Sequence, residues 1–191
     1  MTKSRMEAFS DGVIAVIITI LVLELRVPRE ASLAALRPVA PVFISYALSF
    51  VFLGIYWSNH HHMLQAVKHV DGRVLWANLH LLFWLSLTPF VTAWMGGNHF
   101  AATPVALYGV VLLFASVAYF ILARVLVSLH GSDSVIALAL GRDFKGKIST
   151  AIYLVAIPLA FFRSWLACAL YVLVAVMWLV PDRRIEKTIV Q

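Results

Sequence analysis

Long apolar runs separated by short polar stretches pattern this chain. The runs fall at about residues 9–25, 39–57, 75–94, 105–127, 148–162 and 165–180. A helix needs about 20 mostly apolar residues to cross a bilayer. Inside lipid the backbone must satisfy its own hydrogen bonds, so such runs are helices. The pattern predicts an all-α integral membrane protein with six transmembrane helices, forming a single domain over residues 1–191.

The polar stretches set the expected boundaries. Ser4 and Glu7 have capping-box spacing, which predicts that the first helix starts before its apolar run. Pro28 is its expected stop. From Arg5 to Arg26 such a helix is roughly 33 Å long, just enough to cross the hydrocarbon. The second span is expected to end in the polar cluster Asn59-His60-His61-His62. Within the polar loop after the fourth, Val135–Leu140 predicts a short interfacial helix. Spans five and six are short, and only Arg163 and Ser164 interrupt them, so two crossings and a hairpin that dips in and returns are both open. Trp57, Trp76, Trp94, Trp165 and Trp178 fall at expected span ends, as in an interfacial aromatic belt.

Composition agrees with this pattern. Of 191 residues, 62% are hydrophobic and 13% charged, against roughly half and a quarter in soluble domains. The net charge of +6 does not point to nucleic acid, because the charges sit between apolar blocks, where membrane proteins carry topology signals. With six spans, one side holds eleven lysines and arginines: Lys3, Arg5, Lys68, Arg73, Arg124 by snorkelling, Arg142, Lys145, Lys147, Arg183, Arg184 and Lys187. The other holds four: Arg26, Arg29, Arg37 and Arg163. This asymmetry predicts a multi-pass protein of the cell's inner (plasma) membrane with both termini cytoplasmic. The run after Arg5 is too long for a signal peptide and contains Asp11 and Glu24, so it reads as a span. A single cysteine, Cys168, excludes a disulfide framework within one chain.

Ionisable groups in the bilayer are costly and find partners. Asp11 lies near the inner end of the first span, beside Ser10. One reading places Ser10 and Asp11 in a polar knot with Arg5, Trp57, His60 or His61, and Asn78, fixing span one against spans two and three. The other leaves Asp11 interfacial and hydrated. At about 100° per residue, Val13, Val16, Ile20 and Leu23 fall within about 40° of Phe9, Asp11 lies near 200° and Thr19 near 280°. The stripe through Val16 and Leu23 therefore points away from Asp11. Thr19 has a simpler role available, bonding back to the carbonyl of Ala15. His60, His61 and His62 project about 100° apart on a helix, and no histidine pair has the spacing of three or four that suits a metal. No metal or organic cofactor is expected. No phosphate-binding glycine loop, nucleophile elbow or Thr-Val-Gly-Tyr-Gly filter occurs, so an enzyme is not the expectation.

The opening Arg5-Met6-Glu7-Ala8-Phe9-Ser10-Asp11-Gly12 resembles the bacterial members of the lysosomal transmembrane-protein-175 potassium channel family, whose first helix opens with Arg-x-x-x-Phe-Ser-Asp. Tyr56-Trp57 with the following histidines, Asn78-Leu79 and Pro89-Phe90 extend the likeness over nearly the whole chain. The resemblance implies six-helix subunits in a homotetramer, with a central pore lined by helix one and no carbonyl filter. A ring of bulky apolar side chains forms the narrow point and corresponds to Val16. A threonine layer corresponds to Thr19, and a second constriction to Leu23 with Ile20 nearby. Val16 is smaller than the Ile or Leu common there, which implies a wider ring. The permeant ion implied is potassium, only modestly preferred over sodium among bacterial relatives. Glu24, at the outer end, either draws cations to the mouth or is solvated. The expected function is thus a potassium-permeable channel with an apolar constriction. The alternative is a proton- or solute-coupled carrier using Asp11 and His60–His62, and a third reading is a haem protein or membrane enzyme built on the histidines.

Overall fold

A computed structural model describes residues 2–131, 134–140 and 144–179, and all its regular structure is helical. Ser132, Asp133, Arg142, Asp143 and the charged tail from Val180 onward lie outside the described residues. Helix α1 runs Lys3–Leu23 and α2 runs Ala40–Gln65, preceded by a 3-10 segment over Leu33–Val39. Then come α3 (Gly72–Ser86), α4 (Thr88–Gly97), α5 (Ala102–His130), α6 (Val135–Leu140), α7 (Phe144–Phe162) and α8 (Ser164–Leu179). Five segments are long and apolar enough to cross a membrane: α1, α2 with its 3-10 lead, α3 with α4, α5, and α7. At 16 residues α8 is shorter, roughly 24 Å against a hydrocarbon core of about 30 Å.

Several boundaries differ from the sequence expectation. The cap of α1 is Thr2, whose hydroxyl accepts the Arg5 N–H at 3.4 Å; Ser4 lies inside the helix, so the Ser4–Glu7 box does not form its start. The helix ends at Leu23, five residues before Pro28, so proline does not stop it. The histidines belong to α2 rather than following it, because nothing in Asn59–Gln65 breaks a helix. Trp57 therefore sits two turns inside α2, not at its end. The third span is broken at Leu87. Pro89 lacks the N–H that would continue the ladder, yet fits the first turn of α4.

The bundle has two cores. One joins the buried face of α1 to the last turns of α2, to α3, and to the second half of α5, with Ile136 of α6 tucked against it. The other joins the middle of α2, α4, the first half of α5, α7 and α8. Glycines allow two close crossings. A Cβ on Gly96 would meet the Ser45 hydroxyl, the Val42 Cα at 2.7 Å and the Pro41 carbonyl at 3.1 Å. A Cβ on Gly109 would strike the Tyr171 ring, whose hydroxyl donates to the Val105 carbonyl at 3.1 Å. Both cores leave one face of α1 uncovered.

Candidate ion pathway

Helix α1 is sharply two-sided. Met6, Ser10, Ile14, Ile17 and Leu21 recur at helical spacing and are buried, Ile14 to 1% exposure. The opposite face carries Phe9, Gly12, Val16, Thr19, Ile20 and Leu23, all exposed, with Val16 at 56% and Leu23 at 79%. A Cβ on Gly12 would meet nothing within 4 Å, so among the described residues nothing packs against the helix there. Val13, grouped with this stripe on helical angles, is half-buried against the first core, so the open face centres on Gly12, Val16 and Leu23. The apolar side chains of α1 nearly all round hid this asymmetry from periodicity.

Thr19 donates its hydroxyl hydrogen to the Val16 carbonyl at 2.8 Å, not to Ala15 as expected. A donor committed to the backbone leaves the hydroxyl oxygen as an acceptor on the open face. Thr19 and Val16 are thus tied through one carbonyl.

The far side of α1 is held by polar contacts. Ser10 is fully buried and donates to the Met6 carbonyl at 2.8 Å. The same hydroxyl accepts from Asn78 Nδ2 of α3 at 2.9 Å, and Asn78 Oδ1 meets His60 Nε2 of α2 at 2.7 Å. As Asn78 Oδ1 can only accept, His60 carries its proton on Nε2. Its Nδ1 is buried without a hydrogen-bond partner. Asp11 accepts the Trp57 indole N–H at 3.0 Å, so its carboxylate turns toward α2 and away from the open face. Glu7, assigned by spacing to a cap, instead approaches His61 Nδ1 at 3.4 Å, and His61 Nε2 meets Gln65 at 2.8 Å. His61 also stacks on Trp57, with ring centroids 6.2 Å apart. Arg5 is exposed, and among the described residues no ion pair joins it to Asp11. The structure thus brings together Ser10, Asp11, Trp57, His60, His61 and Asn78, and leaves Arg5 outside. Among the described residues no three His, Cys, Asp or Glu side chains are grouped to hold a metal ion.

A second buried knot had no signal in the sequence. Ser49 of α2 meets Thr92 of α4 at 2.7 Å and Tyr108 of α5 at 3.0 Å, and Thr92 donates to the Thr88 carbonyl at 2.6 Å. Beyond the C-terminal end of α1, Glu24 lines a depression of about 800 Å³ with Glu30, Arg26 and Arg29. Its acidic and basic groups balance, which weakens the case for Glu24 as a cation funnel.

The profile of the family described as "TMEM175: Endosomal/lysosomal potassium channel TMEM175" matches residues 5–89, which include α1 from Arg5 onward, its polar contacts and the break before α4. A protein of Chryseobacterium sp. (strain P1-3) named a potassium channel is 52% identical over 189 residues, covering 99% of this chain and 98% of its own. This chain belongs to the TMEM175 family. Its fold agrees with the family's: the crystal structure of a lysosomal potassium-selective channel TMEM175 homolog from Chamaesiphon minutus superposes with a TM-score of 0.77 at 27% identity, over 93% of this chain and 96% of that one. The zebrafish endosomal/lysosomal proton channel TMEM175 is 37% identical over 73 residues, 32% of this chain and 14% of its own.

Proposed function

We propose that this TMEM175-family protein is a potassium-permeable channel, a homotetramer in which the open face of α1 lines a shared axis. The uncovered stripe Gly12–Val16–Leu23 carries this reading, since it is the part of the helix that the subunit's own cores leave without neighbours. In such a conduit Gly12 leaves room at the axis and Thr19 offers an acceptor oxygen.

The residues divide the work by chemistry. Four Val16 side chains form the narrowest ring. An apolar ring gates by dewetting: close together it excludes water, and spread apart it admits a partly dehydrated ion. Four Thr19 hydroxyl oxygens offer acceptors that replace some ion hydration without adding charge. Ile20 and Leu23 continue the apolar wall toward the outer mouth. Asp11, turned to Trp57, acts behind the pore by holding α1 to α2. The multi-pass chain sits in the inner membrane with both termini cytoplasmic, on its lysine and arginine asymmetry. The partners in this reading are three further copies, lipid and monovalent cations.

Purified protein in liposomes, assayed for potassium flux, tests this. Val16→Ala raises conductance or loosens selectivity; an unchanged current refutes the ring assignment. A second reading, proton permeation, draws on the names of the vertebrate relatives. A pH-sensitive dye inside the same liposomes separates the two.

A further inference from the structure

A cavity of about 300 Å³ opens between α2, α5, α7 and α8, and no residue of α1 lines it, so it lies apart from the proposed pore. Its size falls within the range of small-ligand sites. Its wall is mostly apolar, and several of its polar groups are engaged elsewhere. Asn59 donates to the Ile55 carbonyl at 2.8 Å, and Ser116 meets Thr150 at 3.2 Å. The interior therefore suits an apolar occupant. Charge gathers at one end. Lys147 lines the cavity in the first turn of α7. Two lining rings also carry cations: Arg124 lies 5.4 Å from the centroid of Phe120, and Lys145 lies 5.8 Å from that of Trp178. None of the described lining residues is acidic.

We propose that this cavity binds an anionic phospholipid of the cytoplasmic leaflet, one acyl chain inside and the phosphate between Lys147 and Arg124. An apolar slot between membrane helices with a basic rim on the cytoplasmic side matches the chemistry of such a lipid. The site uses the membrane orientation given above but not the pore, so its failure leaves the α1 reading untouched.

The test uses the full chain, delipidated in mild detergent. Native mass spectrometry compares phosphatidylglycerol with phosphatidylcholine of the same acyl chains. Preferential retention of phosphatidylglycerol is expected. Lys147→Gln, at an exposed position that folding does not need, weakens phosphatidylglycerol binding roughly fivefold, as expected for one juxtamembrane cation, and leaves phosphatidylcholine unchanged. Val117→Trp, which fills the cavity, lowers the binding of both. Equal binding of the two lipids by the unmodified protein, or wild-type phosphatidylglycerol affinity in Lys147→Gln, overturns the proposal. A drop in subunit count with Val117→Trp also overturns it, since it puts a neighbouring copy in the cavity.

Discussion

Asn78 joins three helices at the far side of α1, which makes its removal informative. It donates to Ser10 at 2.9 Å and accepts from His60 at 2.7 Å, and all three residues are buried. Replacing it with leucine keeps the branching at Cγ, in a larger side chain, and deletes both bonds. Side-chain hydrogen bonds between membrane helices are worth about 0.6 kcal/mol on average and up to about 1.7. Two of them give about 1–3 kcal/mol. The upper part of that range is expected, because His60 already has one unpartnered ring nitrogen and would then have two. Thermal melting of the detergent-solubilised channel measures the loss, with Ser10→Ala and the double variant completing a cycle. A coupling of about 0.6–1.7 kcal/mol between positions 10 and 78 is expected. Potassium-to-sodium preference should stay constant, because neither side chain reaches the open face. Strictly additive variants, or Asn78→Leu melting with the parent, would refute the claim that this knot anchors α1.

Four further outcomes follow from particular contacts. Gly96→Ala forces a methyl against the Val42 Cα and Pro41 carbonyl, backbone atoms that do not yield, and should cost about 1–3 kcal/mol or more in melting experiments. Asp11→Asn retains an acceptor for the Trp57 indole, so tetramers should form and ion preference should hold; altered preference in intact tetramers would contradict a carboxylate placed behind the pore. Thr19→Val keeps the shape and removes the acceptor, so potassium conductance should fall while melting changes little, because the lost bond is local to one turn. Asp71 caps α3, accepting the Val74 N–H at 3.0 Å, and this bond with the Arg73 guanidinium holds its carboxyl below the usual carboxylate range. A depressed folded pKa gives stability that is present above the unfolded value, about 3.9, and is lost as pH falls through the folded one. Asp71→Ala should therefore melt below the parent at neutral pH, and the two melting curves should converge only in strong acid.

The spans were legible because bilayer thickness imposes a length on apolar runs, and α5 and α7 lie where those runs do. Their ends were not, for local reasons. Pro28 reads as a stop although the helix ends before it, whereas Pro89, inside a continuous apolar run, follows an actual break. The α1 contacts were half legible. Trp57, His60 and Asn78 stand out in the sequence because buried polar groups in a membrane must find one another. Which atom meets which depends on helix rotation, and that is set by packing. Glu7 was missed because a capping-box spacing offered a local role first. Ser49, Thr92 and Tyr108 were invisible for a different reason. They lie 43 and 59 residues apart in otherwise apolar helices, and isolated hydroxyls there more often bond their own backbone.

The central claim is that the open face of α1 meets water and ions, not lipid. Cysteines placed one at a time in a Cys168→Ala background, with a charged, water-soluble thiol reagent and potassium flux as the readout, test it most directly. Val16→Cys should be modified and flux should stop, while Leu154→Cys, equally exposed at 57% but on α7, should leave flux unaffected. Full flux through reagent-treated Val16→Cys, or equal block at both positions, would contradict the account.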